Sequence, residues 1–375
     1  MDKIHFPGET IGIIGGGQLG QMMAQSAKEK GFKVIVLDPT SNSPAGQVSD
    51  EQIIADYGDL GAILKLAKDC DLITYEFENV DAETIGKAKY YCDIPQGTKA
   101  LIVTQNRIRE KTFLAENDFP VANHAIVHSV KDLETAIDKV GYPSILKTVE
   151  GGYDGKGQMI LNSNSFDEDD AEELLSYGPC ILEEKIDLWK EVSVVISANV
   201  NGEHSVFPVI ENEHRDNILH TSSCPADIRP ETDAECISIA RKIASDLELV
   251  GTMCIEFFIS KDHQVFVNEI APRPHNSGHL TIEACNVSQF DTHILGICGW
   301  PMPQVVQFKP AIMVNLLGQH LGNAKKQIIT HSEWYFHDYG KEEALFNRKM
   351  GHITILSDDV KYAKQQIKEN SLWDI

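Results

Sequence analysis

The sequence predicts an α/β unit with a doubly wound parallel sheet, then an α+β region rich in antiparallel strands and a small C-terminal β-rich region. Three observations predict it. The first hundred residues alternate short apolar runs with segments of helical period, the order of βαβ units. From about Gln105 the texture changes, and beyond residue 180 strand-like runs follow one another directly, as antiparallel pairs do. The chain has 375 residues, too many for one domain of roughly 150.

Residues 11–14 form the first apolar run, followed by Gly15-Gly16-Gly17 and then Leu19, Met22, Met23 and Ala27 at helical spacing. Gly31 closes that helix, as a residue just past a helix end does. Residues 33–37 read as the second strand, 38–45 as a Pro/Ser/Asn loop, 59–67 as helix and 71–75 as strand. Beyond the punctuation at 93–97 the reading is helix 107–117, strand 121–127, helix 130–140 and strand 144–148. A glycine-dense loop (151–157) leads to strand 158–161, then an acidic helix 166–176, read as a solvated face, and strands at 180–184 and 191–198.

The 56 acidic side chains outnumber the 33 basic ones, for a formal charge of −23. Phosphate backbones and anionic lipids are held by Lys and Arg, so neither nucleic acid nor a membrane is an expected partner. No run of 18 apolar residues is present and the first residues lack a signal-peptide pattern, so a cytoplasmic protein is expected. The eight cysteines form no C-x-x-C pair, and reduced thiols are the expectation.

Gly15-x-Gly17-x-x-Gly20, with Asp38 at the end of the next strand, matches a dinucleotide fingerprint. Its physical content is narrower: three glycines let backbone approach an anion at a helix N-terminus, and a tight turn with no ligand is the competing reading. The loop 151–157 is not a Walker A motif, because Gly157 follows Lys156 where Ser or Thr is required. Four glycines around one lysine still suit a cover whose amides face phosphate, with Lys147 on the preceding strand beside it. Segments 254–257 and 266–270 form a predicted hairpin. A two-residue turn at Lys261-Asp262 would set Glu256 opposite Val267, with Glu269 diagonal on the same face. Two carboxylates so placed repel by ~4 kcal/mol at 4 Å and a dielectric of 20. A divalent cation removes the conflict, and hard oxygen ligands without His or Cys favour magnesium over zinc. The loop 271–279 gathers Arg273, His275 and Asn276 directly after Glu269, and Lys341, Arg348, Lys349 and His352 form a local basic patch.

Together these residues resemble the ATP-grasp superfamily, whose members join a carboxylate to an amine through an acyl phosphate. The resemblance spans nearly the whole chain and rests on Gly15-Gly16-Gly17-Gln18-Leu19-Gly20, Tyr75-Glu76-Phe77-Glu78-Asn79-Val80, Gly152-Tyr153-Asp154-Gly155-Lys156-Gly157-Gln158, Asn268-Glu269-Ile270-Ala271-Pro272-Arg273, His275-Asn276-Ser277-Gly278-His279 and Arg348-Lys349-Met350-Gly351-His352. Lys156 stands where arginine is also common, which keeps the charge. The resemblance implies a pre-ATP-grasp α/β domain over 1–104, an ATP-grasp domain over 105–300 with a lid at about 120–185, and a C-terminal region over 301–375 packed on that core.

It further implies that ATP lies between two antiparallel sheets. Arg107, Lys147 and the loop residues Gly152, Tyr153, Asp154, Gly155, Lys156, Gly157 and Gln158 would hold its phosphates. Glu183, Glu184, Lys185 and Ile186 would meet adenine and Glu191 the ribose. His214 and Asn268 would complete that site, with magnesium on Glu256 and Glu269. The implied substrates are bicarbonate and 5-aminoimidazole ribonucleotide, the latter between Gln18, Leu19, Glu76 and the loop at Arg273 to Asn276, its phosphate on Lys341, Arg348 and Lys349. Tyr153, Asp154, Lys156, Arg273, His275 and Asn276 are the candidate catalytic residues; the base stays open among Asp154, His275 and released phosphate. A homodimer is implied by resemblance alone. Formate-dependent glycinamide ribonucleotide transformylase, a nicotinamide oxidoreductase and a non-catalytic nucleotide sensor are the other readings.

Overall fold

The computed structural model describes residues 3–151, 157–163 and 166–373. Its first layer comprises β1 (Thr10–Ile14), α1 (Gln18–Glu29), β2 (Lys33–Leu37), β3 (Glu51–Ile53), α2 (Leu60–Asp69), β4 (Leu72–Tyr75) and α3 (Ala82–Ala88). The strands form one parallel sheet in the order β3-β2-β1-β4, as the βαβ pattern predicts. Both faces are covered. Ile11 and Ile13 pack against Met22, Met23 and Ala27 of α1, and Ile14 packs on the opposite face with Ile63 and Leu66 of α2. β3 escapes the sequence reading because one apolar residue in three carries no periodic signal.

Next come α4 (Lys99–Thr104), α5 (Arg107–Glu116), β5 (His124–Val127), α6 (Val130–Val140), β6 (Ser144–Thr148), β7 (Gln158–Leu161), α7 (Glu168–Ser176) and β8 (Cys180–Glu184). β5, β8, β6 and β7 form an antiparallel sheet in that order, closed by Leu133 and Ala136 of α6 and Ala171 of α7. α7 starts two residues later than the periodicity suggests, because Asp167 caps it by accepting from the amides of Asp169 and Asp170.

The remaining elements are β9 (Leu188–Ala198), β10 (His204–Val206), β11 (Ile210–Arg215), β12 (Ile218–Cys224), α8 (Pro230–Asp246), β13 (Gly251–Ser260), β14 (Val265–Ala271), α9 (Thr281–Ala284), α10 (Gln289–Ile297), β15 (Ala311–Leu317), α11 (Leu321–Gln327), β16 (Trp334–Asp338), β17 (Lys349–Leu356) and α12 (Val360–Glu369). Among the described residues nine strands make one sheet, β14-β13-β9-β11-β12-β15-β17-β16, with β10 on β9. The last three strands therefore extend the large sheet through the β12–β15 pairing, rather than packing against it as a separate region. The first six residues of β15 are buried on both faces, which a strand outside the main sheet would not sustain.

α10 wedges the parallel sheet against the large one. Its Phe290, Ile294 and Ile297 join the cluster of α1, while His293 accepts from the amide of Thr252 at 3.1 Å and meets the Thr74 hydroxyl of β4 at 2.8 Å. The C-terminal ends of β1 and β4 are thereby held over the end of β14.

Gly12 tests the two-sided packing of β1. A Cβ there would lie 2.8 Å from Ile73 Cγ1 and 3.0 Å from Cys70 Sγ. Gly12→Ala is expected to cost ~1–3 kcal/mol of overpacking strain in urea denaturation. An unchanged midpoint would show that the α2 face has room to yield.

Candidate active site

The hairpin β13–β14 builds the centre of the site, and its register differs from the one read in the sequence. The turn has three residues, closed by the amide of Ser260 donating to Gln264 with His263 at φ +63°. Ile259 then pairs with Val265 and Phe257 with Val267, but Glu256 pairs with Glu269. Asn268 is thus an extra residue in a β-bulge. The two carboxylates are directly opposite each other, not diagonal as a two-residue turn would have set them. The bulge also explains why the consecutive side chains of Asn268 and Glu269 both line one cleft, where regular strand alternation would send one of them away.

That cleft, of about 520 Å³, lies between the β5–β8 sheet and the large sheet. Arg107, Lys147, Gln158, Glu183, Glu184, Lys185, Ile186, Glu191, His214, Glu256, Asn268 and Glu269 all line it; of the described residues predicted for ATP, Gly157 alone does not. Burial followed by the facing Glu269 pushes the Glu256 carboxyl up to about 7. Arg107 Nη1 lies 3.5 Å from Glu269, Asn268 Nδ2 3.5 Å from Glu256, and His275 Nε2 3.3 Å from Glu256. Burial and the nearby cations Arg273 and Lys349 hold His275 well below its ordinary value, so its ring is neutral. Glu191 meets His214 Nδ1 at 2.5 Å; burial disfavours the charged imidazole, but this carboxylate outweighs it and raises the His214 value. Burial would likewise raise Glu183, yet Lys111 and Lys147 hold it at about 2.

A smaller cleft of about 250 Å³ adjoins the first, lined by Gln18, Leu19, Glu76, Phe77, Arg273, His275, Asn276 and Lys349. Here the glycine fingerprint finds its physical cause. Glu76, from the end of β4, accepts from the amides of Gly17 at 2.6 Å and Gly20 at 2.5 Å, so the anion at the N-terminus of α1 is the protein's own carboxylate. A Cβ on Gly15 would lie 2.2 Å from Glu76 Cγ, and one on Gly17 2.7 Å from its Oε1. The fingerprint glycines therefore make room for Glu76, and the expectation that Gly15–Gly20 itself serves a ligand narrows to Gln18, Leu19 and Glu76. Asp38 is also committed internally: it accepts from the amides of Gly16 and Thr40 at 2.7 Å each and from the Tyr57 hydroxyl at 2.6 Å. A nicotinamide ribose would find that carboxylate taken. Asp38, at the end of β2, thus holds the fingerprint turn together from within.

Of the basic patch, Lys349 lines both clefts, whereas Lys341 donates to the Lys349 carbonyl at 2.6 Å and Arg348 is exposed and donates to Glu343. Neither of the latter two lines a cleft. Burial followed by Arg348 brings the Lys341 ammonium down to about 8. Asn276 exchanges amide hydrogen bonds with Asn315 at 2.8 and 3.1 Å, which orients it. Gly152, Tyr153, Asp154, Gly155 and Lys156 lie outside the described residues; Gly157 accepts from the amide of Thr148 at the foot of the loop. Sequence reading missed Glu78, which holds Arg273 through Nε at 2.5 Å and Nη2 at 3.2 Å, and it missed Lys111. Lys111 sits within a polar helix, where nothing in the residue pattern separates a buried lysine from a solvated one.

Three family models match consecutive stretches of the chain: the ribonucleotide synthetase preATP-grasp domain over 8–105, the ATP-grasp domain over 112–290 and the phosphoribosylaminoimidazole carboxylase C-terminal domain over 311–366. The chain is 45% identical over 368 residues to the N5-carboxyaminoimidazole ribonucleotide synthase of Staphylococcus saprophyticus, with 98% of each covered. The N5-carboxyaminoimidazole synthetase of Staphylococcus aureus complexed with ADP matches with a TM-score of 0.94 at 44% identity over 98% of both chains. The N5-carboxyaminoimidazole synthase of Aspergillus clavatus, in complex with ADP and 5-aminoimidazole ribonucleotide, matches at 0.90 and 30% identity over 99% of both. Fold and site thus define an ATP-grasp ligase. Within that class the chain belongs to the N5-carboxyaminoimidazole ribonucleotide synthase family.

Two outcomes follow from the site's own bonds. Asp38→Ala leaves the Gly16 and Thr40 amides and the Tyr57 hydroxyl without their acceptor, and it is expected to lower stability by ~1–3 kcal/mol in urea denaturation. A wild-type midpoint would show that water replaces the carboxylate at no cost. The second concerns Glu256, whose folded-state value lies above its ordinary one. The folded protein then binds more protons than the unfolded chain, so this group's contribution to stability falls as pH rises from the ordinary carboxylate range through about 7. Without divalent cation, Glu256→Gln should gain stability relative to wild type across that window. A difference independent of pH would show that the Glu256–Glu269 repulsion is absent.

Proposed function

We propose that the chain uses ATP to carboxylate the exocyclic amine of 5-aminoimidazole ribonucleotide with bicarbonate, releasing ADP and phosphate, as a step of purine biosynthesis. The observation that carries this reading is a shared wall: Arg273, His275, Asn276 and Lys349 line both clefts, so a product formed at the end of one is delivered into the other. A nucleotide sensor needs no second cleft, and an oxidoreductase leaves the carboxylate pair idle.

On this reading Arg107 and Lys147 face the ATP phosphates, residues 183–186 the adenine, and Glu191 with His214 the ribose. Glu256 and Glu269 fit magnesium. They are hard oxygen donors facing one another, and magnesium held there would draw its remaining ligands from water and phosphate. Among the described residues no group of three His, Cys, Asp or Glu side chains is placed to hold a metal unaided, which accords with that shared coordination. When bound, magnesium neutralises charge on the transferring phosphoryl group.

Bicarbonate takes the γ-phosphoryl group, giving ADP and carboxyphosphate. The amine, held near Glu76 and Gln18, captures that intermediate or the CO2 it releases. Arg273, fixed by Glu78, and Lys349 supply positive charge at the junction where the anionic intermediate crosses. Carboxyphosphate hydrolyses readily, so the site has to exclude water while the intermediate exists. Lys341 and Arg348 complete the phosphate end of the substrate by movement or through water. A dimeric state and a cytoplasmic location belong to the same reading; among the described residues no helix is long and apolar enough to cross a membrane.

The test is ADP release with 5-aminoimidazole ribonucleotide and bicarbonate, against glycinamide ribonucleotide and formate. Release with the first pair alone is expected. Release with the second pair would make the chain a transformylase, and absence of release with either pair would leave a binding module. Glu269→Gln is expected to reduce turnover by roughly a hundredfold or more, since it removes one of the two negative charges that would hold the cation. Full activity of Glu269→Gln at saturating magnesium would remove the metal assignment.

A further inference from the structure

β14 is the terminal strand of the nine-stranded sheet, so among the described residues no further strand partners the peptide groups of its outer edge. α5 partners them with two adjacent polar residues, a donor and an acceptor. Lys111 Nζ donates to the carbonyls of Val267 at 3.3 Å and Asn268 at 2.8 Å, and Glu110 Oε1 accepts from the amide of Ile270 at 2.6 Å. The amide of Val267 donates to Pro120. Both residues are 1% exposed, and burial followed by Glu269 pushes the Glu110 carboxyl up to about 8. These bonds bracket the bulge that turns Asn268 and Glu269 together into the cleft. Lys111 Nζ also lies 3.9 Å from Glu183 on β8, and Glu183 holds Lys147 of β6 at 2.9 Å. A continuous buried chain therefore runs from the phosphate-facing lysine of one sheet to the metal-facing strand of the other.

An edge can be covered with apolar side chains, and burying a charge is costly unless it is paired. Placing Lys111 and Glu110 at this edge is explained if the bulge itself has to be held. We propose that Lys111, backed by Glu110, is a positioning residue for the magnesium–phosphate end of the site: it fixes the bulged backbone that aims Asn268 and Glu269 and, through Glu183, sets Lys147 against them. This rests on the reading of Glu269 as a magnesium ligand. Lys111 is separated from the ribonucleotide cleft, which it does not line.

The experiment measures the magnesium activation constant, the Michaelis constant for 5-aminoimidazole ribonucleotide, and amide exchange of residues 267–270 without ligand, in Lys111→Met and Lys111→Arg. Lys111→Met is expected to raise the magnesium constant roughly tenfold or more, as loss of a residue orienting metal ligands does, and to speed exchange at Ile270. The ribonucleotide Michaelis constant should stay within about twofold, because its cleft is untouched. Lys111→Arg keeps the charge but misplaces the donor, and should fall between Lys111→Met and wild type. If Lys111→Met does not fold, the arginine variant decides alone: a raised magnesium constant supports the role and a wild-type one overturns it. Reduced thermal stability with unchanged magnesium constants would mean a merely structural lysine, and also overturns it. Glu269→Gln run alongside separates the two readings. A raised constant there with unchanged ones in both lysine variants removes the positioning role and leaves the metal site standing.

Discussion

Like charges placed on one rung of an antiparallel pair repel, and the arrangement of this active site follows from the opposition of Glu256 and Glu269. A regular hairpin would relieve the conflict by slipping one residue; the bulge at Asn268 instead enforces it, with Arg107 drawn to one carboxylate and His275 to the other. Burial, and after it this repulsion, raise the Glu256 value. Two opposed carboxylates destabilise the hairpin as long as nothing positive lies between them. The surrounding buried lysines and arginines keep the cleft receptive to phosphates despite the chain's charge of −23.

The same electrostatic logic works in reverse at the N-terminus of α1. There the peptide dipoles and amides would suit a phosphate, but Glu76 occupies them from within. An internal carboxylate costs nothing in translational entropy, so it outcompetes a diffusing anion for that position. The smaller cleft must then recognise its ligand through Gln18, the outer face of Glu76 and the cations at its rim. A motif that reads as nucleotide-binding thus becomes one wall of a different pocket, with its glycines retained for steric reasons.

Much of this was legible in the residues. The βαβ order announced the parallel sheet because its strands are apolar on both faces and its helices carry a clear period, as residues 11–14 and 19–27 illustrate. The glutamate pair was legible as a pair, but its register was not: a bulge adds one residue without a compositional mark, and His263 in a left-handed conformation lengthens the turn unseen. The internal roles of Asp38 and Glu76 were hidden for another reason. A carboxylate beside glycines looks the same in sequence whether it meets a ligand or the glycines' own amides, and only the 2.5–2.7 Å contacts decide. Lys111 was invisible because burial of a lysine on α5 is set by the edge of β14, more than 150 residues away in the chain.

The two clefts share a wall of side chains, and this governs what chemistry they can share. Arg273 is held in two-point contact by Glu78, Asn276 by Asn315, and His275 by Ser277 at 2.9 Å, so the common wall is preorganised by its own supporting bonds. A wall fixed in this way cannot reorient to follow a reactive anion; it can only present charge and donors along a path. An intermediate that hydrolyses in water is best passed over such a short, fixed and cationic boundary, because neither diffusion nor rearrangement intervenes between its formation and its capture. The separation of phosphoryl transfer and amine capture into adjoining pockets, with one rigid partition between them, is what makes the carboxylate pair on one side and Glu76 on the other parts of a single site.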